Sequence, residues 1–210
     1  MIASARAILP MLLVAGMLGG CGRGAPIPTD TYYRLAAPHI DAEAGAPLAD
    51  GGILVEAFEA DALYRERPLL FSEDAANLTL KQYHHHHWQE SPPRLLREQL
   101  VLYLRAAHAA PWVAGRADQA PAMVVRGRIR RFEHIIGADA VTARVALELQ
   151  LRGQDGEMLM LRDYQRDEPA AGKDVASVVA ATDAALNSVF EQFLADARAA
   201  VRAPATGRLP

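Results

Sequence analysis

The sequence predicts an α/β (α+β) domain, a mixed and largely antiparallel sheet packed against two long helices. Three observations predict it. Residues 141–152 alternate, with Val141, Ala143, Val145, Leu147, Leu149 and Leu151 on one side and Thr142, Arg144, Glu148, Gln150 and Arg152 on the other. That is the period-two pattern of a sheet with one wet face. Two other stretches carry apolar residues at helical spacing: Leu96, Leu100, Tyr103, Leu104 and Ala107, then Val175, Val178, Val179, Thr182, Leu186, Val189, Phe190, Phe193 and Ala197. Each stripe needs a surface to cover it. Finally, Cys21 is the sole cysteine, so no disulfide within the chain can staple the fold, and an apolar core must hold it.

Taken in order, Thr31–Leu35 (TYYRL) is a first strand, rich in β-branched and aromatic side chains. Ala36–Gly52 is a loop without periodicity, and Ile53–Phe58 (ILVEAF) a second strand. Asp61–Ser72 is read as irregular up to a short extended Leu69-Leu70-Phe71. Asn77–Trp88 is extended, with Leu78, Leu80, Gln82 and the even-numbered histidines on one face. Ser91 then caps a helix, and Pro92 suits its first position because the missing N–H would be unpaired there. This helix runs to about Ala109.

Ala122–Ile136 is the antiparallel neighbour of the alternating strand, across a Gly137-Ala138-Asp139 turn. Its phase slips near Arg130-Arg131, since Met123, Val125 and Ile129 are odd-numbered and Phe132 is even, which predicts a bulge. Gln154-Asp155-Gly156-Glu157 turns the chain into a third strand, Met158–Gln165. The second long helix spans about Asp174 to Val201. The face opposite its apolar stripe lacks the basic residues of a helix lying on a membrane, so the stripe belongs to the core. Residues 203–210 form a tail.

The first 20 residues read as an export signal. Arg6 supplies the positive start and Ala7–Leu18 an apolar run well short of the ~20 residues that span a bilayer. Leu18-Gly19-Gly20 leads straight into Cys21, an arrangement that resembles a bacterial lipobox. Cys21 is thereby the expected lipid-attachment residue, carrying three acyl chains where a single chain would bind only reversibly. The competing reading is a plain secretory signal with an unmodified cysteine. Residues 21–30 then form a lipidated tether and residues 31–202 the folded domain. The stretch from Gly22 to Asp30 reaches at most about 30 Å, so the domain stays close to the bilayer.

Composition narrows the chemistry. The net charge is −3 and no basic stripe emerges, which argues against nucleic acid as a partner. Gly172-Lys173 is followed by Asp and lacks an upstream glycine, so it is no phosphate loop. Neither a GxSxG elbow nor an HExxH pair occurs. No catalytic residue, metal or cofactor is therefore expected. His84-His85-His86-His87 is the one conspicuous cluster. On a regular strand His84 and His86 share one face and His85 and His87 the other, close enough for two-point metal binding, with Glu90 the nearby carboxylate. A solvated or partly packed strand is preferred. The alternative is a periplasmic lipoprotein that binds a metal or small ligand through these histidines. Trp88 reads as an aromatic closing the corner between sheet and helix.

The order of these pieces resembles the ABC-type transport auxiliary lipoprotein family, which includes PqiC-like proteins. The residues that carry the resemblance are the lipobox, Tyr32-Tyr33-Arg34-Leu35, Ile53-Leu54-Val55-Glu56, Arg67-Pro68-Leu69-Leu70-Phe71, and Tyr83 through His87-Trp88-Gln89-Glu90-Ser91-Pro92 opening a helix. Four histidines stand where the family has a mixed run before the tryptophan. The resemblance implies an accessory role without catalysis, beside an MCE-domain protein and an associated ABC transporter that move lipids or other apolar molecules. It also implies anchorage at the periplasmic face of the outer membrane, and Gly22 after the acylated cysteine fits that destination. Contacts with the partner are expected near Tyr64 or Trp88, and association between copies of the chain stays open.

Overall fold

The computed structural model describes residues 28–40, 45–73 and 78–202. The export signal, Cys21, most of the tether and the tail lie outside them. Nine strands and two long helices follow in order: β1 (Thr31–Tyr33), β2 (Ile53–Val55), β3 (Glu59–Ala60), β4 (Pro68–Ser72), β5 (Lys81–Trp88), α1 (Pro92–Ala106), β6 (Val113–Ala114), β7 (Met123–Ile136), β8 (Val141–Gly153), β9 (Met158–Pro169) and α2 (Val175–Arg202). A turn of 3-10 helix at Ala62–Arg65 precedes β4. All strands join one mixed sheet.

β7 is the hub. One of its edges pairs antiparallel with β8 along its whole length, and β8 pairs antiparallel with β9. Its other edge is tiled by short parallel strands: β2 against Met123–Val125, β3 against Arg128–Ile129, β4 against His134–Ile135. From β4 the sheet continues antiparallel to β5 and then parallel to β1. The long ladders are thus antiparallel, as expected, and the parallel pairs are short.

Val141, Ala143, Val145, Leu147, Leu149 and Leu151 are all buried on the side of β8 that α2 covers, and Met123, Val125, Ile129 and Phe132 of β7 are buried as well. The expected bulge is present, because the β7–β8 register shifts between Ile129 and Arg131. It carries Phe132 and His134 to the inner face, opposite Val145 and Ala143. Both helical stripes are core: Leu96, Leu100, Tyr103 and Leu104 of α1 and Leu186, Val189, Phe190 and Phe193 of α2 are buried in one cluster. The Tyr103 and Phe190 rings lie 5.7 Å apart and join the two helices.

Four local expectations need correction. The second strand is split: Val55 stands opposite Val125 but Glu59 opposite Arg128, so the intervening residues bulge and Phe58 drops over Gly127. A Cβ at Gly127 would lie 2.6 Å from that ring, which is why glycine is needed there. The part of Asp61–Ser72 read as irregular holds the 3-10 turn, and the expected extended Leu69-Leu70-Phe71 is the middle of β4, which reaches one residue further at each end. Ser91 occupies the helix start, but its hydroxyl makes no capping bond; its carbonyl accepts the Arg94 and Leu95 N–H groups instead. β9 runs on to Pro169, because Thr142 through Ala146 of β8 offer it partners to the end.

Candidate functional site at the histidine edge

The sheet ends in β4, β5 and β1, and the four histidines sit in the middle of that edge. Pro68 of β4 stands opposite His87 while Leu70 stands opposite Gln82, so β5 carries three extra residues between these pairs. The bulge overrides strict alternation. His84 and His87, expected on opposite faces, line the same groove.

β1 lies on the outside of this bulge, with Thr31 opposite His86 and Tyr33 opposite Trp88. Side chains fasten it. The Tyr33 hydroxyl is 2.9 Å from His86 Nδ1, and the Tyr32 ring is 5.5 Å from that of His87. Asp30 Oδ1 lies 3.1 Å from His85 Nδ1 and 3.7 Å from His87 Nε2. The His85 hydrogen bond holds the Asp30 carboxyl below the usual carboxylate range. The carboxylate near the histidines is therefore Asp30, delivered from a distant point in the sequence, and not Glu90, which pairs with Arg94 at 3.5 Å. Among the described residues no group of three or more His, Cys, Asp or Glu side chains is arranged to hold a metal ion. The histidines form the seat of β1.

Trp88 closes this corner. It is 3% exposed, and its ring lies 5.1 Å from Phe132. Its backbone N–H donates to the Arg67 carbonyl at 2.7 Å, and Arg67 Nε donates to the Trp88 carbonyl at 3.2 Å. Its neighbours Gln89 and Glu90 are exposed. Tyr64 is half-buried. Its hydroxyl donates to Glu133, a buried carboxylate that Arg131 also holds at 2.9 Å. Burial and that carboxylate push the Tyr64 phenol well above its ordinary range. The exposed residues of its turn are Ala62, Leu63 and Arg65.

Sequence reasoning missed two features. The first is a groove of about 700 Å³ along β4 and β5, lined by Leu63, Pro68, Phe71, Leu80, Tyr83 and His87 among others. The second is His134 beneath it. The Tyr83 ring rests 4.6 Å from Phe71 and 5.7 Å from His134, whose Nδ1 has no hydrogen-bond partner and whose pKa burial pushes down to about 4. The phase slip at Arg130-Arg131 was the available signal for His134, since it turns that residue inward. Elsewhere the wet face of the sheet carries matched charges: Arg126 with Glu56, Arg128 with Glu59, Arg130 with Glu148, Arg144 with Asp167.

Comparison with known proteins adds to this geometry. The model of the family described as "ABC-type transport auxiliary lipoprotein component" matches residues 33–193. A crystal structure of a Xanthomonas campestris protein of family DUF330 superposes with a TM-score of 0.70 at 20% identity, covering 81% of this chain and 96% of that one. An uncharacterised protein superposes with a TM-score of 0.66 at 13% identity, covering 80% and 98%. These two share the fold. No protein of curated function matches the sequence.

Proposed function

This chain belongs to the ABC-type transport auxiliary lipoprotein component family, and on that premise we propose that it docks an envelope transport complex at the periplasmic face of the outer membrane. It is an accessory lipoprotein without catalysis, anchored through acylated Cys21, and its partners are an MCE-domain protein and the associated ABC transporter. The cargo class is lipid or another apolar molecule. The observation that carries this reading is the extent of the family match, which runs from the last residue of β1 well into α2.

The geometry supports it in one further respect. β1 continues directly from the tether and is fastened to the sheet, so an anchor at Cys21 would hold the whole body near the membrane instead of letting it swing. The partner contact is placed on the exposed residues beside Trp88 and Tyr64, namely Gln89, Glu90 and Arg65. Photo-crosslinkers at Gln89 and Arg65 in intact cells test this. An adduct with an MCE-domain protein is expected. A dominant adduct with a peptidoglycan enzyme, and none with an MCE protein, would overturn the assignment.

A further inference from the structure

Residues 30–36 cross from the histidine edge to α2, and each end of the crossing rests on titratable groups of another element. At one end Asp30 Oδ1 lies 3.1 Å from His85 Nδ1 and 3.7 Å from His87 Nε2 on β5. At the other the Ala36 N–H donates to Asp183 Oδ1 of α2 at 3.0 Å. Between these ends the hold is thin. β1 supplies three residues to the sheet and Leu35 one buried side chain, while Asp30, Thr31, Tyr32, Arg34 and Ala36 are exposed.

Protons act on the two ends in the same sense. Below about pH 6.5, where an imidazole ordinarily gains its proton, the contacts of Asp30 become ion pairs and the carboxylate draws the histidines to it. Asp183 has no charged neighbour one turn away on its own helix, where Val179, Ala180, Leu186 and Asn187 stand. Burial raises its pKa to about 6, against a smaller downward pull from the Ala36 N–H. A carboxyl raised in this way favours the seated form fully below the ordinary carboxylate range, and that contribution is lost as the pH rises through 6. Asp30 sets the acid limit, because its carboxyl, held low by His85, must stay ionised to grip the histidines.

The remaining charges decide which histidine carries the effect. Arg67 lies 5.0 Å over the Tyr32 ring, which faces His87, and with the flanking His84 and His86 it opposes a charge there. His86 already meets the Tyr33 hydroxyl, with the Tyr83 ring 5.7 Å away. Lys81 is paired with Glu73 and Glu90 with Arg94. Asp174 of the α2 start bonds Ser177 and reaches the Tyr33 phenol only through its field. His85, at the shorter distance from Asp30, is thus the stronger grip.

We propose that residues 30–36 form a pH-sensitive strap, gripped more firmly between β5 and α2 in mild acid than at neutral pH. Through it, acidity sets how firmly the chain before Thr31 is tied to the folded body. The body itself responds in the opposite sense, because His134, buried beside Tyr83, loses its favoured neutral form as the pH falls.

Hydrogen–deuterium exchange of the full chain in nonionic detergent, read by mass spectrometry and corrected for the intrinsic pH dependence of exchange, follows the strap in peptides covering residues 31–36. Protection there should rise about fourfold from pH 7.5 to 5.5, the change that a carboxyl at about 6 when seated and 3.8 when released produces. Amides of β7 and β8 should show no such rise. Asp30→Asn and Asp183→Asn keep the size of each side chain and remove its charge. Each should flatten part of the rise, and the two together nearly all of it. His85→Gln with His87→Gln tests the Asp30 end by a second route and should match Asp30→Asn. Level or falling protection in the wild type would overturn the strap, as would a rise shared by the whole sheet. A full rise persisting in the Asp30→Asn, Asp183→Asn double variant would place the titration elsewhere and overturn it too. The wild-type profile alone can decide against the strap, so a variant that fails to fold does not shield it.

Discussion

His134 shows what a bulge a few residues earlier in the strand can impose on the whole chain. It is 2% exposed, its Nδ1 is unpaired, and burial lowers its pKa from 6.5 to about 4. The fold therefore accepts only the neutral imidazole. Its contribution is fully present above pH 6.5 and is lost as the pH falls toward 4. A shift of that size corresponds to about 3 kcal/mol. Asp183 acts in the opposite sense. Burial raises its pKa to about 6 despite the Ala36 N–H bond, so its charged form is disfavoured and its contribution fades as the pH rises through 6. The His134 effect is isolated by comparing denaturant midpoints of wild type and His134→Met from pH 7.5 to 4. The variant should lose less stability over that range. Equal losses in both proteins would place the acid sensitivity elsewhere.

Among the elements, α2 and β1 lie at opposite extremes of attachment. α2 buries Leu186, Val189, Phe190 and Phe193 against β8, β9 and α1. Truncating a buried phenylalanine costs ~3–5 kcal/mol through lost transfer energy and the cavity left behind. Phe190→Ala should therefore lower the melting temperature by on the order of 10 °C, and a shift of a degree or two would mean that the stripe does not hold the core. β1 has three residues and one neighbouring strand, and much of its hold comes from Asp30, Tyr32 and Tyr33 meeting the histidines. Replacing His84–His87 together with Gln should leave the global melting temperature nearly unchanged, since these positions are exposed or half-exposed. Amide exchange at residues 31–33 should nonetheless accelerate. Unchanged protection there would show that backbone bonds alone seat the strand.

For the whole molecule, the proposed anchor at Cys21 and the seat of β1 would act in series, so orientation would depend on both. Cys21→Ala should release the chain from membranes, measured by fractionation after an alkaline wash, because no helix among the described residues is long and apolar enough to cross a membrane. A variant that stays fully membrane-bound would mean that something other than the acylated cysteine holds it. The histidine replacement should leave the anchored fraction unchanged and loosen only the orientation of the body. The two variants thus separate attachment from positioning. The matched arginine–carboxylate pairs on the wet sheet face are exposed and each contributes little to stability, which leaves the apolar core as the main source of cohesion.

Sequence alone determined the elements whose pattern is long and local: the alternation of β8, the stripes of α1 and α2, the turn at Gly156 with its φ of +78°, and even the bulge in β7. Periodicity over a dozen residues is set by burial of one face, and burial is written in residue type. Tertiary structure alone decided the tiling of β7 by β2, β3 and β4, because segments of two to five residues carry too few side chains to show a period. It also decided the partner of the histidines. Asp30 stands 55 positions from His85, and no local pattern could show that parallel pairing of β1 with β5 would bring a carboxylate to the histidines at this edge of the sheet.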